Sequence, residues 1–129
     1  MLAKHNPDTV AAPLSDYSHG VEAPAGARWL YISGQVAIAP DGSIPDSIEG
    51  QATQVFENIL AVLEAANMGA EDLVRINTYL VNAGYMGGFR AVRDKYVGQF
   101  APASTMIMIG ALATPDLLIE IEAVAAKVD

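Results

Sequence analysis

The sequence predicts an α+β domain in which two helices cover one face of a mixed β-sheet, with the elements in the order ββαβαββ. Two stretches carry apolar residues at three- and four-residue steps, and several others alternate apolar with polar residues. The chain has 129 residues, of which 52% are hydrophobic. That is enough for one domain with a real core and too little for two ordinary ones. We therefore expect a single domain over residues 1–129.

Two strands are predicted near the start of the chain, after a lead-in over residues 1–16 that shows no periodicity and is interpreted as irregular. The first covers residues 17–23 and the second residues 28–39, with the turn-forming stretch PAGA between them. In the second strand Trp29 and Ser33 share one face, while Gly34 falls on the other. A loop rich in Pro, Asp and Gly then leads to the first helix.

The two helices are predicted at residues 48–67 and 85–99. Gly69 is well placed to end the first helix, because glycine tolerates the left-handed conformation that often follows a helix. The apolar stripe of the first helix consists of Ile48, Ala52, Val55, Phe56, Ile59, Leu63 and Ala66. These periodic stripes indicate that each helix packs one face against a sheet.

Three further strands are predicted at residues 72–81, 104–110 and 117–126. The first two flank the second helix, so they form a crossover unit and are expected to be parallel. The face of the sheet away from the helices would mix aliphatic side chains with polar ones such as Arg75 and Glu122. This composition is typical of a subunit interface that contains polar pockets, which a closed cyclic oligomer would cover.

Composition excludes several classes of function. The formal net charge is −8, with seven Lys and Arg against fifteen Asp and Glu, which argues against nucleic acid and anionic membranes as partners. The chain has no Cys and two His, so we expect no disulfide, no metal site and no cofactor. Without a signal-like or membrane-spanning apolar segment, we expect a cytoplasmic protein.

Several stretches together resemble the RidA/YjgF family, the reactive intermediate imine deaminases that are also labelled L-PSP endoribonucleases. The resemblance covers nearly the whole chain in the right order. It implies a chorismate-mutase-like fold, a homotrimer, and small-molecule clefts between neighbouring subunits. The matching stretches are YSHGV (17–21), YISGQVAIAPDG (31–42), QATQVFENILAVLEAANMGAEDLVRINTYL (51–80), GGFRAVRDKYVGQF (87–100), PAST (102–105) and IEIEAVA (119–125).

The resemblance assigns part of a ligand cleft residue by residue. The family's aromatic near the N-terminus matches Tyr17, and its Ser-Gly turn matches Ser33 and Gly34. Its catalytic glutamate matches Glu120, which would position water for attack on a C=N carbon. The loop GALATPDLL holds one extra residue before this glutamate.

The chain departs from the family pattern at the catalytic arginine, where Ser104 follows the Pro-Ala pair. Met106 stands where the family often has Cys, and Arg93 stands where it has Asn on the second helix. A serine cannot grip a carboxylate with two charged hydrogen bonds as arginine does. We therefore expect weak imine hydrolysis and a cleft that is less positive near Ser104, with Arg93 as the one replacement cation.

Each assignment has a simpler structural alternative. Tyr17 can fill a subunit seam, Ser33 and Gly34 can mark a bend, and Ser104 can merely open a strand. Three functions therefore stay open: a divergent imine or enamine deaminase, a non-enzymatic metabolite-binding trimer, and a ribonuclease or translation inhibitor. The acidic charge and the absence of a His pair make the ribonuclease the least supported of the three.

Overall fold

A computed structural model describes all residues 1–129. It contains six strands and two α-helices, joined by loops and three short 3₁₀ turns. In chain order the elements are β1 (Ala3–His5), β2 (Gly20–Glu22), β3 (Arg28–Val36), α1 (Ile48–Ala65), β4 (Leu73–Leu80), α2 (Met86–Val97), β5 (Ala103–Met108) and β6 (Ile119–Lys127).

The main sheet has four strands in the order β3-β6-β4-β5. β6 is antiparallel to both β3 and β4, whereas β4 and β5 are parallel, with Ile76 opposite Ser104. The predicted crossover through the second helix is therefore confirmed. β3 and β5 form the two edges of this sheet. The outer side of β5 is bridged at its first residue, where Ser18 pairs in parallel with Ala103.

One correction concerns the lead-in, which is not wholly irregular. Its first residues form β1, which pairs with β2 as a separate two-stranded sheet. His5 Nε2 lies 2.9 Å from Glu22 Oε1 across this pair. A three-residue strand carries too little periodicity to be seen in sequence, and its cross-strand partner lies 17 residues away. The predicted strand 17–23 is accordingly shorter and lies outside the main sheet.

Helix α1 begins at Ser47, whose hydroxyl accepts a hydrogen bond from the Gly50 amide at 3.0 Å. It ends in a left-handed residue, but that residue is Asn67, with φ of 56°, and not the expected Gly69. The Met68 amide donates to the Leu63 carbonyl at 2.9 Å, which satisfies the last turn of the helix. Asparagine tolerates the left-handed conformation better than most residues. The chain therefore leaves the helix at Asn67, two residues before the predicted position at Gly69.

The core lies between the two helices and one face of the main sheet. Phe56 stacks with Phe89 of α2 at 6.3 Å and with Tyr96 at 5.5 Å between ring centroids. Ile119 and Ile121 of β6 face this layer and are fully buried. The intervening side chains of β6 therefore point to the opposite side of the sheet, called here the helix-free face.

Two β-bulges change the register that simple alternation predicts. The pairing of β3 with β6 shifts between Ile32 and Gln35, and that of β4 with β6 shifts between Leu73 and Arg75. The first bulge changes the placement of two residues assigned to the cleft, because it turns Gly34 toward the same face as Ser33. The expectation that these two residues lie on opposite faces is wrong for this reason. Neither helix has the length and apolarity needed to cross a bilayer.

Candidate functional site

Four of the seven residues assigned to the cleft line one pocket of about 230 Å³ beside β5. Residues from three separated segments meet there: the lead-in, helix α2 and strand β5. The lining consists of Leu14, Ser15, Tyr17, Arg90, Arg93, Ser104 and Met106. We call this the β5-edge pocket. It brings together four of the predicted cleft residues, Tyr17, Arg93, Ser104 and Met106.

Arg93 is the most deeply buried polar group of the pocket, with only 3% of its surface exposed. Its Nε and Nη2 donate to Asp94 Oδ1 at 3.0 and 2.9 Å, and its Nη1 contacts Ser15 Oγ at 3.4 Å. The guanidinium also lies 5.8 Å from the Phe89 ring centroid. Since a guanidinium carries five N–H groups, two remain without a partner in the chain.

The end of the lead-in and the residues 17–19 that follow it close one side of the pocket and are held in place by polar contacts. Ser18 Oγ donates to the Ala101 carbonyl at 2.6 Å, and the Ser18 amide donates to the Pro102 carbonyl at 3.3 Å. Tyr17 Oη accepts from the Leu14 amide at 3.3 Å, so its own proton is free to donate. His19 packs edge-on against Tyr17 at 5.7 Å between ring centroids.

Arg90 is a pocket residue that the sequence interpretation left out. It lies one turn before Arg93 on α2, is exposed, and forms no ion pair within the chain. The expectation that positive charge near Ser104 would come from Arg93 alone is therefore wrong. The three-residue spacing of the two arginines on a predicted helix was the available signal, because such residues share a face.

The other three assigned residues lie together at the β3 side of the sheet. A Cβ placed on Gly34 would be 2.5 Å from Glu120 Oε2 and 2.7 Å from its Cδ. Glu120 therefore packs directly over the backbone of Gly34, which only glycine permits without a shift. Ser33 precedes it at the bulge of β3. Ser33, Gly34 and Glu120 are called here the β3-edge group.

A polar cluster adjoins this group on the helix-free face. The Tyr79 hydroxyl donates to Glu122 Oε1, and Asn77 Nδ2 reaches the same oxygen at 3.5 Å. This bond to the Glu122 carboxylate is the main cause that raises the pKa of Tyr79 above its usual value. Ser33, Asn77 and Glu122 also line a depression of about 240 Å³. These contacts place Glu122 beside the β3-edge group.

The pocket and the β3-edge group do not meet within one chain. Ser104 and Met106 face α2, whereas Glu120 lies between the buried Ile119 and Ile121 and so points to the helix-free face. Strand β4 separates β6 from β5, which places the two strands about 10 Å apart. The seven assigned residues thus form two incomplete halves on different faces of the sheet.

The fold and its divided polar site define a small α+β protein with the chorismate-mutase-like architecture. A family model described as Endoribonuclease L-PSP matches residues 8–127. The chain therefore belongs to this family, and the resemblance to RidA/YjgF proteins seen in the sequence is confirmed.

Individual relatives match over nearly their whole length. A RutC family protein of Pyrococcus horikoshii is 34% identical over 117 residues, which are 89% of this chain and 90% of that protein. Protein HMF1 of Saccharomyces cerevisiae is 31% identical over 123 residues, or 95% of this chain and 92% of that protein. The crystal structure of YyfB, a conserved Rid family protein of Yersinia pestis, superposes with a TM-score of 0.86 at 35% identity and covers 98% of both chains.

Proposed function

We propose that the protein forms a homotrimer that binds small carboxylates of the 2-oxo or 2-imino acid type in clefts between neighbouring copies. One observation carries this proposal. Arg93 is buried beside a pocket and keeps two N–H groups without partners. A buried guanidinium with unused donors suits a carboxylate, because the ligand supplies the acceptors that the chain does not.

The hydroxyl groups around Arg93 add further donors. Tyr17 has a free hydroxyl proton, and Ser104 adds a hydroxyl from the β5 side of the pocket. The pocket therefore offers donors from three sides and no carboxylate among its lining residues. Met106 adds a flexible apolar surface for a short side chain of the ligand.

A second copy of the chain would complete the cleft. The β5-edge pocket lacks a carboxylate that could activate water, and the β3-edge group supplies one in Glu120. The pocket lies beside the edge strand β5, and Glu120 lies on β6 next to the edge strand β3. A neighbour can therefore approach each group from one side of the sheet. The exposed Trp29 and Tyr31 on β3 supply apolar surface for that contact. A cyclic trimer repeats this junction three times.

For an imine ligand we propose slow hydrolysis. Glu120 accepts a proton from water as the water oxygen bonds to the C=N carbon, and it returns that proton to the nitrogen, which gives a carbinolamine. The hydroxyl proton of the carbinolamine then passes through Glu120 to the nitrogen as the C–N bond breaks, so that ammonia leaves and a 2-oxo acid remains. The carboxylate of the ligand is held by Arg93. Ser104 supplies only a neutral hydrogen bond where the family has arginine, so the ligand is held less firmly than in arginine-bearing relatives.

A metabolite-binding protein without turnover is the second candidate. The pairing of Arg93 with Asp94 favours it, since a cation that is already partly neutralised grips a carboxylate less strongly. The two candidates share the cleft and differ in whether Glu120 activates water.

The test combines mass, binding and rate measurements on the purified protein. Light scattering should give three times the chain mass, and calorimetry should detect 2-oxobutanoate binding that Arg93→Lys weakens. An amino-acid oxidase can generate 2-iminobutanoate in the presence of the protein, and release of ammonia reports hydrolysis. Glu120→Gln is the control that separates the candidates, because it abolishes only turnover. A monomer that binds no 2-oxo acid would contradict the proposal.

A further inference from the structure

Asp94 is a residue to which neither the sequence pattern nor the resemblance assigns a role. Its carboxylate is the main partner of the pocket arginine, because Oδ1 receives both Nε and Nη2 of Arg93. The two partners differ sharply in burial: the Arg93 side chain is 4% exposed and that of Asp94 is 45% exposed. The contact therefore joins a fixed, buried cation to an anion that can turn toward solvent.

This arrangement has a consequence for any anionic ligand. Asp94 occupies the side of the guanidinium formed by Nε and Nη2, which is one of the two edges where a carboxylate can bind with two parallel hydrogen bonds. It also places one negative charge within hydrogen-bond distance of the cation that the ligand needs. A ligand carboxylate must use the remaining N–H groups and must bind beside that charge.

We infer that Asp94 is a specificity-determining residue that competes with the ligand carboxylate for Arg93. This inference rests on the proposed function, because it refines how the same pocket treats its ligand. The negative charge of Asp94 restricts the pocket to ligands with one carboxylate, because Asp94 repels a second negative charge on the ligand in addition to the first. Arg90 stays unpaired at the mouth of the pocket and attracts the single charge that is admitted.

A purely positioning role for Asp94 predicts a different result in a mutant. Asparagine keeps the Oδ1 acceptor for Nε and Nη2, so Asp94→Asn holds Arg93 in place while it removes the charge. If Asp94 only positions the arginine, Asp94→Asn leaves binding unchanged and Asp94→Ala weakens it. If Asp94 competes, Asp94→Asn tightens binding. Whether Asp94→Asn tightens binding or leaves it unchanged therefore decides between the two roles.

The experiment measures calorimetric affinities for 2-oxobutanoate, which carries one carboxylate, and 2-oxoglutarate, which carries two. For Asp94→Asn we expect 2-oxobutanoate to bind about twofold to fivefold more tightly, as for removal of one charge from a half-exposed ion pair. The gain for 2-oxoglutarate should be larger, so that the ratio of the two affinities moves toward the dicarboxylate. An equal gain for both ligands would overturn the restriction to single charges.

Two control variants separate local competition from the general loss of negative charge. Asp16→Asn removes a carboxylate that lies near Gly98 and does not contact Arg93. Glu64→Gln removes a carboxylate on the exposed face of α1. Both should change affinity less than Asp94→Asn does. Unchanged or weaker binding in Asp94→Asn overturns the inference alone. Absence of 2-oxobutanoate binding in the parent and in Asp94→Asn overturns the proposed function together with it.

Discussion

The β5-edge pocket and the β3-edge group carry opposite chemistry and are built in opposite ways. The pocket presents donors from Arg93, Tyr17 and Ser104, brought together from distant parts of the chain by packing of α2 and the lead-in. The β3-edge group presents the acceptor Glu120, placed by strand register and one bulge. The pocket therefore depends on tertiary packing, whereas the β3-edge group depends on local backbone geometry.

This difference predicts where mutations will be costly. A residue held by packing supports the fold as well as the ligand, so changing it lowers both stability and binding. A residue placed by strand register can change its side-chain position while the sheet stays intact. Four changes test this contrast, in order of decreasing effect.

Arg93→Ala should have the largest effect. It removes a buried cation that contacts Asp94, Ser15 and the Phe89 ring, and it leaves an apolar gap under the lead-in. We expect the free energy of unfolding to fall by about 2–4 kcal/mol, as for loss of a large buried side chain with charged hydrogen bonds. Urea unfolding monitored by circular dichroism measures this change.

The matched control is Arg90→Ala on the same helix. Arg90 is exposed and unpaired, so its removal should change the free energy of unfolding by less than about 0.5 kcal/mol. Equal losses in the two variants would show that packing does not hold the pocket together, and the contrast between the two regions would fail.

Ser104→Arg should have the next largest effect, and on rate more than on stability. The new guanidinium would enter a pocket of about 230 Å³ and could pair with the ligand carboxylate. We expect imine hydrolysis to rise at least about tenfold, since a hydrogen bond to a charged group contributes roughly 1.5–3 kcal/mol. Repulsion from Arg90 and Arg93 limits the gain.

Ammonia release from 2-iminobutanoate measures this rate. Ser104→Gln serves as the size-matched control, because it is long and polar but uncharged. A rise of the same size in that control would assign the effect to shape and not to charge.

The sequence predicted the fold because its signals are local and repeated. The apolar stripes of both helices and the alternation in β4 and β6 each depend on side chains a few residues apart, and the parallel pairing of β4 with β5 follows from the helix between them. The bulge at Ser33 and Gly34 was not predictable from alternation, since one extra residue inverts every face that follows it.

The site was only partly predictable for a physical reason. The resemblance supplied Tyr17, Ser104 and Met106, and the structure brings them into one pocket with Arg93. The partners of Arg93 could not be predicted in the same way. Ser15 lies 78 residues away in sequence, and the choice of Asp94 as its ion-pair partner depends on the side-chain rotamer and burial.

Gly34→Ala should have a smaller effect that appears mainly in activity. The added Cβ would lie 2.5 Å from Glu120 Oε2, so the carboxylate must move, while the backbone of Gly34 has no positive φ to be strained. Because the colliding atoms belong to a flexible side chain, we expect a stability loss of about 1 kcal/mol or less. Ammonia release should fall, since Glu120 leaves its position.

Gly87→Ala provides the control within α2. A Cβ on Gly87 would meet nothing within 4 Å, so alanine should stabilise the helix by about 0.5–1 kcal/mol with the rate unchanged. If Gly34→Ala keeps full activity and the control behaves as expected, the packing of Glu120 on Gly34 is irrelevant to function.

The smallest effect concerns the hydrogen bond that Tyr79 donates to Glu122 beside the β3-edge group. The hydrogen bond to Glu122 is the main cause that raises the pKa of the Tyr79 hydroxyl. Burial and the charges of Glu122 and Glu120 raise it further, and the charge of Arg75 opposes them with a smaller effect. A raised pKa in the folded state means that this bond contributes fully below the unfolded value of about 10. The contribution is lost as the pH rises through the folded value, because the phenolate and Glu122 then repel each other.

NMR titration of the Tyr79 ring carbons should therefore give a midpoint above 10, and Glu122→Gln should lower it by removing the negative charge. Asp116→Asn, in the loop before β6, should leave the midpoint unchanged. If Glu122→Gln does not lower the Tyr79 midpoint, strand register does not hold Tyr79 and Glu122 together. The residues beside the β3-edge group would then depend on tertiary packing as much as the β5-edge pocket does.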